Sequence, residues 1–207
     1  MTFPENGIYL ASRSPRRRQL LSQIGVSFET LLLREALPRG SDIDEAALPG
    51  EAPADYVSRI ACTKAELSRK RLIQRGGVLR PVLGADTAVV SKGRVFGKPE
   101  SLAHAGEMLA ALSGQTHQVL TAIAVAVEKA TQIRVSTSAV RFRDISELEI
   151  RRYIALDEAH DKAGGYAIQG LAAIFITEIT GSYSGIMGLP LYETAQLLQD
   201  CGIEVLA

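Results

Sequence analysis

Along the whole chain, short apolar runs alternate with stretches whose apolar residues recur at helical spacing, and that alternation leaves few folds open. Ile8 to Ala11 reads as a buried strand, Arg16 to Ile24 as a helix with Leu20, Leu21 and Ile24 at helical spacing before Gly25, and Phe28 to Leu33 as a second strand. Arg34 to Pro53, rich in Pro, Gly and acidic residues, is expected to be a mobile loop ahead of a long helix over Ala54 to Gln74. A strand over Val82 to Val90, a turn at Lys92-Gly93 into Arg94 to Phe96, and a helix from Ser101 to Leu112 ending near Gly114 come next. Strands over Gln118 to Val127 and Ile133 to Phe142 precede a helix from about Ser146 to Leu156. An Ala/Gly-rich polar segment, a strand over Ala173 to Ile179, a loop and a closing helix over Leu191 to Cys201 complete the pattern. Strands alternating with helices, with at least one hairpin, imply an α/β fold built on a mixed sheet flanked by helices.

The 207 residues suffice for one large domain or two small lobes around a shared cleft, and we expect a single domain over 1–207. With 23 basic and 23 acidic residues the formal charge is zero, which argues against a protein that coats nucleic acid or an anionic membrane. Any phosphate recognition must therefore be local. Cys62 and Cys201 lack metal-ligand spacing and read as buried, reduced thiols rather than a disulfide or zinc site. No basic leader with an apolar core and cleavage site opens the chain, and no apolar run is long enough to span a bilayer, so a soluble cytoplasmic protein is expected.

Two segments concentrate chemistry. Ser12-Arg13-Ser14-Pro15-Arg16-Arg17-Arg18 sits where the first strand turns into a helix, a place where unpaired N–H groups, hydroxyls and guanidinium groups suit phosphate oxygens. The plainer reading is a capped helix with Ser14 as N-cap, Pro15 in the first position and solvated arginines. Asp86 stands inside Val82-Leu83-Gly84-Ala85-Asp86-Thr87-Ala88-Val89-Val90, where a bare charge is expensive unless a metal, a lysine or a substrate-bound water compensates it. An acid at a strand end capping a turn is the alternative.

Lys64, Lys98 between Gly97 and Pro99, and Lys162 could each neutralise a phosphate oxygen, Lys98 having the most suggestive context. Asp161 to Gly170 combines three glycines with a charged pair, as a loop lying close to a ligand requires. Within it Gln169 could read the mixed donor–acceptor edge of uracil or thymine, or bond to its own loop. Gly181 to Pro190 reads as a second flexible loop, and His117 as structural, because no nucleophile or metal partner accompanies it. P-loop and Rossmann fingerprints are missing from the sequence.

Six motifs in order resemble the Maf family of nucleoside triphosphate pyrophosphatases: Ser12-x-Ser14-Pro15-Arg16-Arg17, Gly84 to Thr87, Gly97-Lys98-Pro99, Ser113 to His117, Asp161 to Gly170 and Gly188 to Leu191. The resemblance implies a mixed, twisted α/β sheet in two lobes around a long cleft, related to the inosine triphosphatase fold. It also implies a homodimer and a divalent cation, Mg²⁺ or Mn²⁺. Thr87 and Ile168-Gln169-Gly170 match the branch acting on dTTP and UTP, rather than the one acting on 7-methyl-GTP. By the same resemblance Asp86 is the catalytic proton acceptor, with Lys98 also catalytic; Ser12, Arg16, Arg17, Lys64, Thr87, Lys162 and Gln169 bind substrate; and Glu45 with Asp86 holds the metal. Asp44 and Glu35 compete with Glu45, because the stretch from Arg34 to Ile43 is longer than usual, and Glu158-Ala159-His160 replaces the family's Glu-Pro before Asp161. The expected activity is hydrolysis of dTTP and UTP between the α- and β-phosphates, with no nucleic acid or membrane partner. A broader pyrophosphatase of modified nucleotides and a non-catalytic nucleotide-binding regulator of septum formation are the alternatives.

Overall fold

The apolar runs pair into one seven-stranded sheet. Its strands are β1 (Ile8–Leu10), β2 (Phe28–Thr30), β3 (Val82–Ser91), β4 (Arg94–Phe96), β5 (Thr116–Ala126), β6 (Thr131–Phe142) and β7 (Ile176–Thr180), in the order β2-β1-β3-β5-β6-β7 with β4 on β3. The computed structural model describes residues 7–33, 43–128, 130–156, 158–159 and 161–205; Glu35 and His160 lie outside these. β1 runs parallel to β2 and β3, with Leu10 opposite both Thr30 and Leu83, whereas β3 with β4 and β6 with β7 are antiparallel. The expected mixed α/β sheet is thus the observed one. Flanking helices are α1 (Pro15–Gln23), α2 (Pro53–Gln74), α3 (Leu102–Leu112), α4 (Glu147–Ile154), the single turn α5 (Tyr183–Ile186) and α6 (Leu191–Asp200).

By internal contacts the chain divides into two units. One comprises Met1–Asp86, Thr121–Ser136 and Gly188–Ala207; the other Thr87–Leu120 and Thr137–Met187. In the first, Tyr9, Ala11, Leu72 and Val82 cluster with Leu31 against them. α2 turns Val57, Ile60, Ala61, Ala65, Ser68 and Leu72 inward, a stripe at helical spacing. The second unit is built on aromatic edges: the Phe142 ring meets those of His117, Tyr166 and Phe175 at centroid separations of 4.9, 4.9 and 6.4 Å, and Tyr153 meets Phe175 at 5.7 Å.

Several expected boundaries shift for local reasons. The last strand does not begin at Ala173, because Leu171–Phe175 forms a 3₁₀ turn that buries Ala172 and Phe175 three residues apart. The supposed flexible loop after Gly181 holds α5, whose N-cap Ser182 accepts from the Gly185 N–H at 2.9 Å. β2 stops at Thr30 rather than Leu33, and β5 begins at Thr116, which places His117 inside the strand on its buried row with Val119. Cys62 and Cys201 are free, as expected, but half-buried rather than buried; Cys62 stands one step off the inward stripe of α2. Lys92-Gly93 makes the hairpin turn with both residues at positive φ, 51° and 77°. Among the described residues no helix is long and apolar enough to cross a membrane.

Candidate active site

β1 ends at Leu10 opposite Leu83 of β3, and Ser12 beyond β1 and Asp86 three residues further along β3 carry polar groups of the first unit. β1 leads into Ser12. The Ser12 hydroxyl, almost wholly buried, accepts from the Ser14 N–H at 3.2 Å and from Arg17 Nη1 at 3.4 Å. Ser14 caps α1 by accepting from the Arg17 N–H, and Pro15 takes the first helical position, so the plain capping reading holds for these two residues. It fails for Arg17. That guanidinium turns inward and donates from Nε to the Gly188 carbonyl at 2.7 Å, while Gly188 itself holds a φ of 111° that favours glycine. Burial pushes the Arg17 pKa down; the charge of Asp86 opposes that, neighbouring Arg16 adds to it, and Glu45 opposes it weakly. Arg16 is half-buried and makes no side-chain hydrogen bond or ion pair among the described residues.

Asp86 lies two residues beyond Gly84 and therefore on the same face of β3. Gly84 lets that face approach α2 closely: a Cβ there would stand 2.5 Å from the Ala61 carbonyl oxygen and 2.7 Å from the Ala65 nitrogen. Lys64, between those alanines on the inward stripe, reaches Asp86 directly. Its Nζ donates to Asp86 Oδ1 at 2.8 Å and stands 2.8 Å from Glu45 Oε1. Asp86 is 8% exposed, and burial pushes its carboxyl pKa up against the pull of Lys64 and, more weakly, of Arg17. Of the compensations open to this acid, a lysine is the one observed, and the strand-end turn cap is not. Asp86 Oδ2 makes no hydrogen bond among the described residues.

Glu45 sits in the segment before α2 with its side chain 44% exposed. The alternative Asp44 spends Oδ1 on the Ala46 N–H at 2.9 Å, and the alternative Glu35 lies outside the described residues. Ser12, Arg17, Glu45, Lys64 and Asp86 thus share one unit and a linked set of contacts and fields. Among the described residues no group of three or more His, Cys, Asp or Glu side chains is arranged to hold a metal ion.

Thr87, Lys98, Lys162 and Gln169 belong to the second unit. Thr87 follows Asp86 in β3 and points to the opposite face. Lys98 is exposed and unpaired among the described residues, while Lys162 pairs with adjacent Asp161. The Gly97 carbonyl accepts from the Gly164 N–H at 3.0 Å, which ties the two lysine-bearing loops together. A Cβ on Gly164 would approach Val89 to 2.9 Å, and its φ of 71° is one that side chains disfavour. Gln169 is exposed, and the expected alternative, a bond to its own loop, is not made among the described residues. Beneath that loop His117 Nε2 and the Tyr166 hydroxyl hydrogen-bond at 2.7 Å, and burial pushes the His117 pKa down to about 4. His117 is therefore a neutral support, as its lack of partners in sequence implied.

A model of the family described as Maf-like protein matches residues 7–201. The chain is a member of the Maf family. Among relatives of this Maf protein are the dTTP/UTP pyrophosphatases of Nitrosospira multiformis, 63% identical over 99% of both chains, and of Nitrosomonas europaea, 61% identical over 97% of both. That of Aromatoleum aromaticum is 54% identical over 94% of this chain and 95% of its own. The Staphylococcus aureus Ham1 structure aligns at TM-score 0.43 and 18% identity over 67% of this chain and 72% of that one, a likeness too distant to bear on the site.

Sequence reasoning passed over Tyr56, Arg59, Glu51 and Glu158. Tyr56, Ile60 and Lys64 recur every four residues on α2, so the helical period marks Tyr56 and Lys64 as inward-facing polar residues. Glu158 Oε1 accepts from the Tyr153 hydroxyl at 2.9 Å and Oε2 from the Leu171 N–H at 3.0 Å, bracing the end of the Gln169 loop. No spacing in the sequence announces that.

Proposed function

We propose that this Maf protein hydrolyses dTTP and UTP to the nucleoside monophosphate and pyrophosphate, with Asp86 as proton acceptor for the attacking water. The observation that carries the reading is the buried Asp86, whose Oδ1 is bonded to Lys64 while Oδ2 makes no hydrogen bond among the described residues. A carboxylate held in that way is oriented before substrate arrives and keeps one oxygen for the water proton. The names of its relatives supply the substrates.

The donor set fits a divalent cation of the Mg²⁺ or Mn²⁺ kind. Two carboxylates converge on one position, where the Lys64 ammonium stands 2.8 Å from each, and such ions are held by one or two carboxylates plus substrate phosphates. Asp86 and Glu45 would hold it. A cation so held supplies charge stabilisation at phosphate oxygens. The chain's own groups do the rest. Lys64 orients Asp86 and opposes the rise that burial imposes on its pKa, Ser12, Arg16 and Arg17 bind phosphate oxygens, and Lys98 and Lys162 offset charge on the leaving pyrophosphate. Thr87 and Gln169 set the base preference. The protein acts in the cytoplasm as a homodimer on free nucleotides, without nucleic acid or membrane.

The test is Asp86→Asn with products resolved. Turnover of dTTP is expected to fall by about 10²–10⁴-fold while nucleotide binding persists, because the cationic groups remain. Near-wild-type turnover in the variant, or release of orthophosphate instead of pyrophosphate by the wild type, sinks the reading.

A further inference from the structure

Glu45 lies in a segment without helix or strand, where a carboxylate would ordinarily sample many positions. Here α2 pins the backbone at Glu45 and at the residue that follows it. The Tyr56 hydroxyl donates to the Glu45 carbonyl at 3.0 Å, and Arg59 Nη2 donates to the Ala46 carbonyl at 3.0 Å. Arg59 is itself fixed by a two-pronged pair, Nε to Glu51 Oε1 at 2.6 Å and Nη2 to Glu51 Oε2 at 2.7 Å. Glu51 Oε2 also accepts from the Leu48 N–H at 3.0 Å, which closes the segment on itself.

These bonds do not serve the helix start. The N-cap of α2 is Ala52, which has no side chain to cap with, so Glu51, Tyr56 and Arg59 act on residues 45 to 48 instead. Tyr56 stands two turns before Lys64 on the same face of the same helix, so one rigid element sets both the ammonium and the carboxylate that meets it.

We propose that Tyr56 and Arg59, locked by Glu51, are positioning residues that hold the Glu45 carboxylate on the Lys64–Asp86 pair ready for a divalent cation. The inference rests on the reading of Glu45 given above. An outer-shell partner of this sort acts through the ligand it orients, so its loss weakens cation affinity without touching the nucleotide contacts.

The experiment compares Tyr56→Phe and Arg59→Lys with Glu45→Gln as reference, using the full chain and Mn²⁺ as probe. Tyr56→Phe removes one donor, and Arg59→Lys keeps the charge but loses the fork. Mn²⁺ binding is measured by electron paramagnetic resonance without nucleotide, beside kcat and KM for dTTP and the melting temperature. Mn²⁺ affinity is expected to fall about tenfold in each clamp variant. At limiting Mn²⁺, kcat should drop with KM for dTTP unchanged, and excess Mn²⁺ should restore it. If Glu45→Gln impairs Mn²⁺ binding but both clamp variants bind normally and only melt earlier, the positioning role is overturned and the reading of Glu45 stands. If Glu45→Gln also binds Mn²⁺ normally, the reading of Glu45 falls and the clamp with it.

Discussion

The two units treat their polar groups in opposite ways. In the first, Lys64, Asp86, Arg17 and Ser12 are drawn inward and, with the exposed Glu45, partnered with one another or with backbone. In the second, Lys98 and Gln169 stand exposed without side-chain hydrogen bonds among the described residues, on loops supported by glycines and by the His117–Tyr166 pair. The difference teaches where orientation must be settled in advance. Groups that move a proton need fixed geometry before substrate arrives, because reorganisation during reaction raises the barrier. Groups that recognise a ligand can wait unpaired in water, because their bonds form only when it binds.

Lys64→Met attacks the partnered side and should have the largest effect in this comparison. It leaves Asp86 and Glu45 as uncompensated like charges, so dTTP turnover is expected to fall by about 10²-fold. The fold should also lose about 2 kcal/mol, discounted from a fully buried pair because Glu45 is half-exposed. Urea titration with parallel kinetics checks both, and a variant retaining full stability and rate would erase the contrast.

The aromatic support of the second unit carries its own signature. His117 ordinarily titrates near 6.5 but near 4 when folded, because burial disfavours its charged form. Its pKa is lowered on folding, so its contribution to stability is present above 6.5 and is lost as pH falls toward 4. Glu51 and Glu149, held at about 2 by Arg59 and Arg143, matter only below about 4.5. Between pH 6.5 and 4.5 the His117 contribution to stability should therefore fall by up to about 1.4 kcal/mol per unit, and His117→Gln should remove that component of the slope while the opposite contribution of the raised Asp86 stays the same in both proteins. Chemical denaturation across the window measures it; an unchanged slope would show that His117 is not the titrating group.

The smallest change is expected at Gln169→Ala. One exposed amide is worth about tenfold in preference for dTTP and UTP over purine triphosphates, with thermal stability unmoved. Ratios of kcat/KM across the four bases decide it, and an unaltered ratio removes Gln169 from base selection.

Much of this was legible in residues alone. The alternation of runs dictated the mixed sheet, the helix expected from about Ser146 is α4, and the acid in an apolar strand found the basic partner its burial demands. Lysine context left Lys64 unmarked. Lys98 between Gly and Pro looked more telling than Lys64, yet Lys64 is the one on an inward helical stripe, which its spacing from Ile60 and Ala61 already implied. The Arg59–Glu51 clamp and the Glu158 brace were not legible, since each joins a side chain to a backbone group or neighbour chosen by the tertiary path. Leu171–Phe175 deceived for another reason: an apolar run of five fits strand and 3₁₀ turn alike until packing selects Ala172 and Phe175.

Gly84 carries no functional group, yet it acts as the ruler of the Lys64–Asp86 pair. With only hydrogen between β3 and α2 at that point, the reach from ammonium to carboxylate is measured from main chain to main chain. A heavier residue there would stretch the gap without altering a single reactive atom. The spacing of the proposed base from its ammonium is thereby written into a position that chemistry alone would overlook.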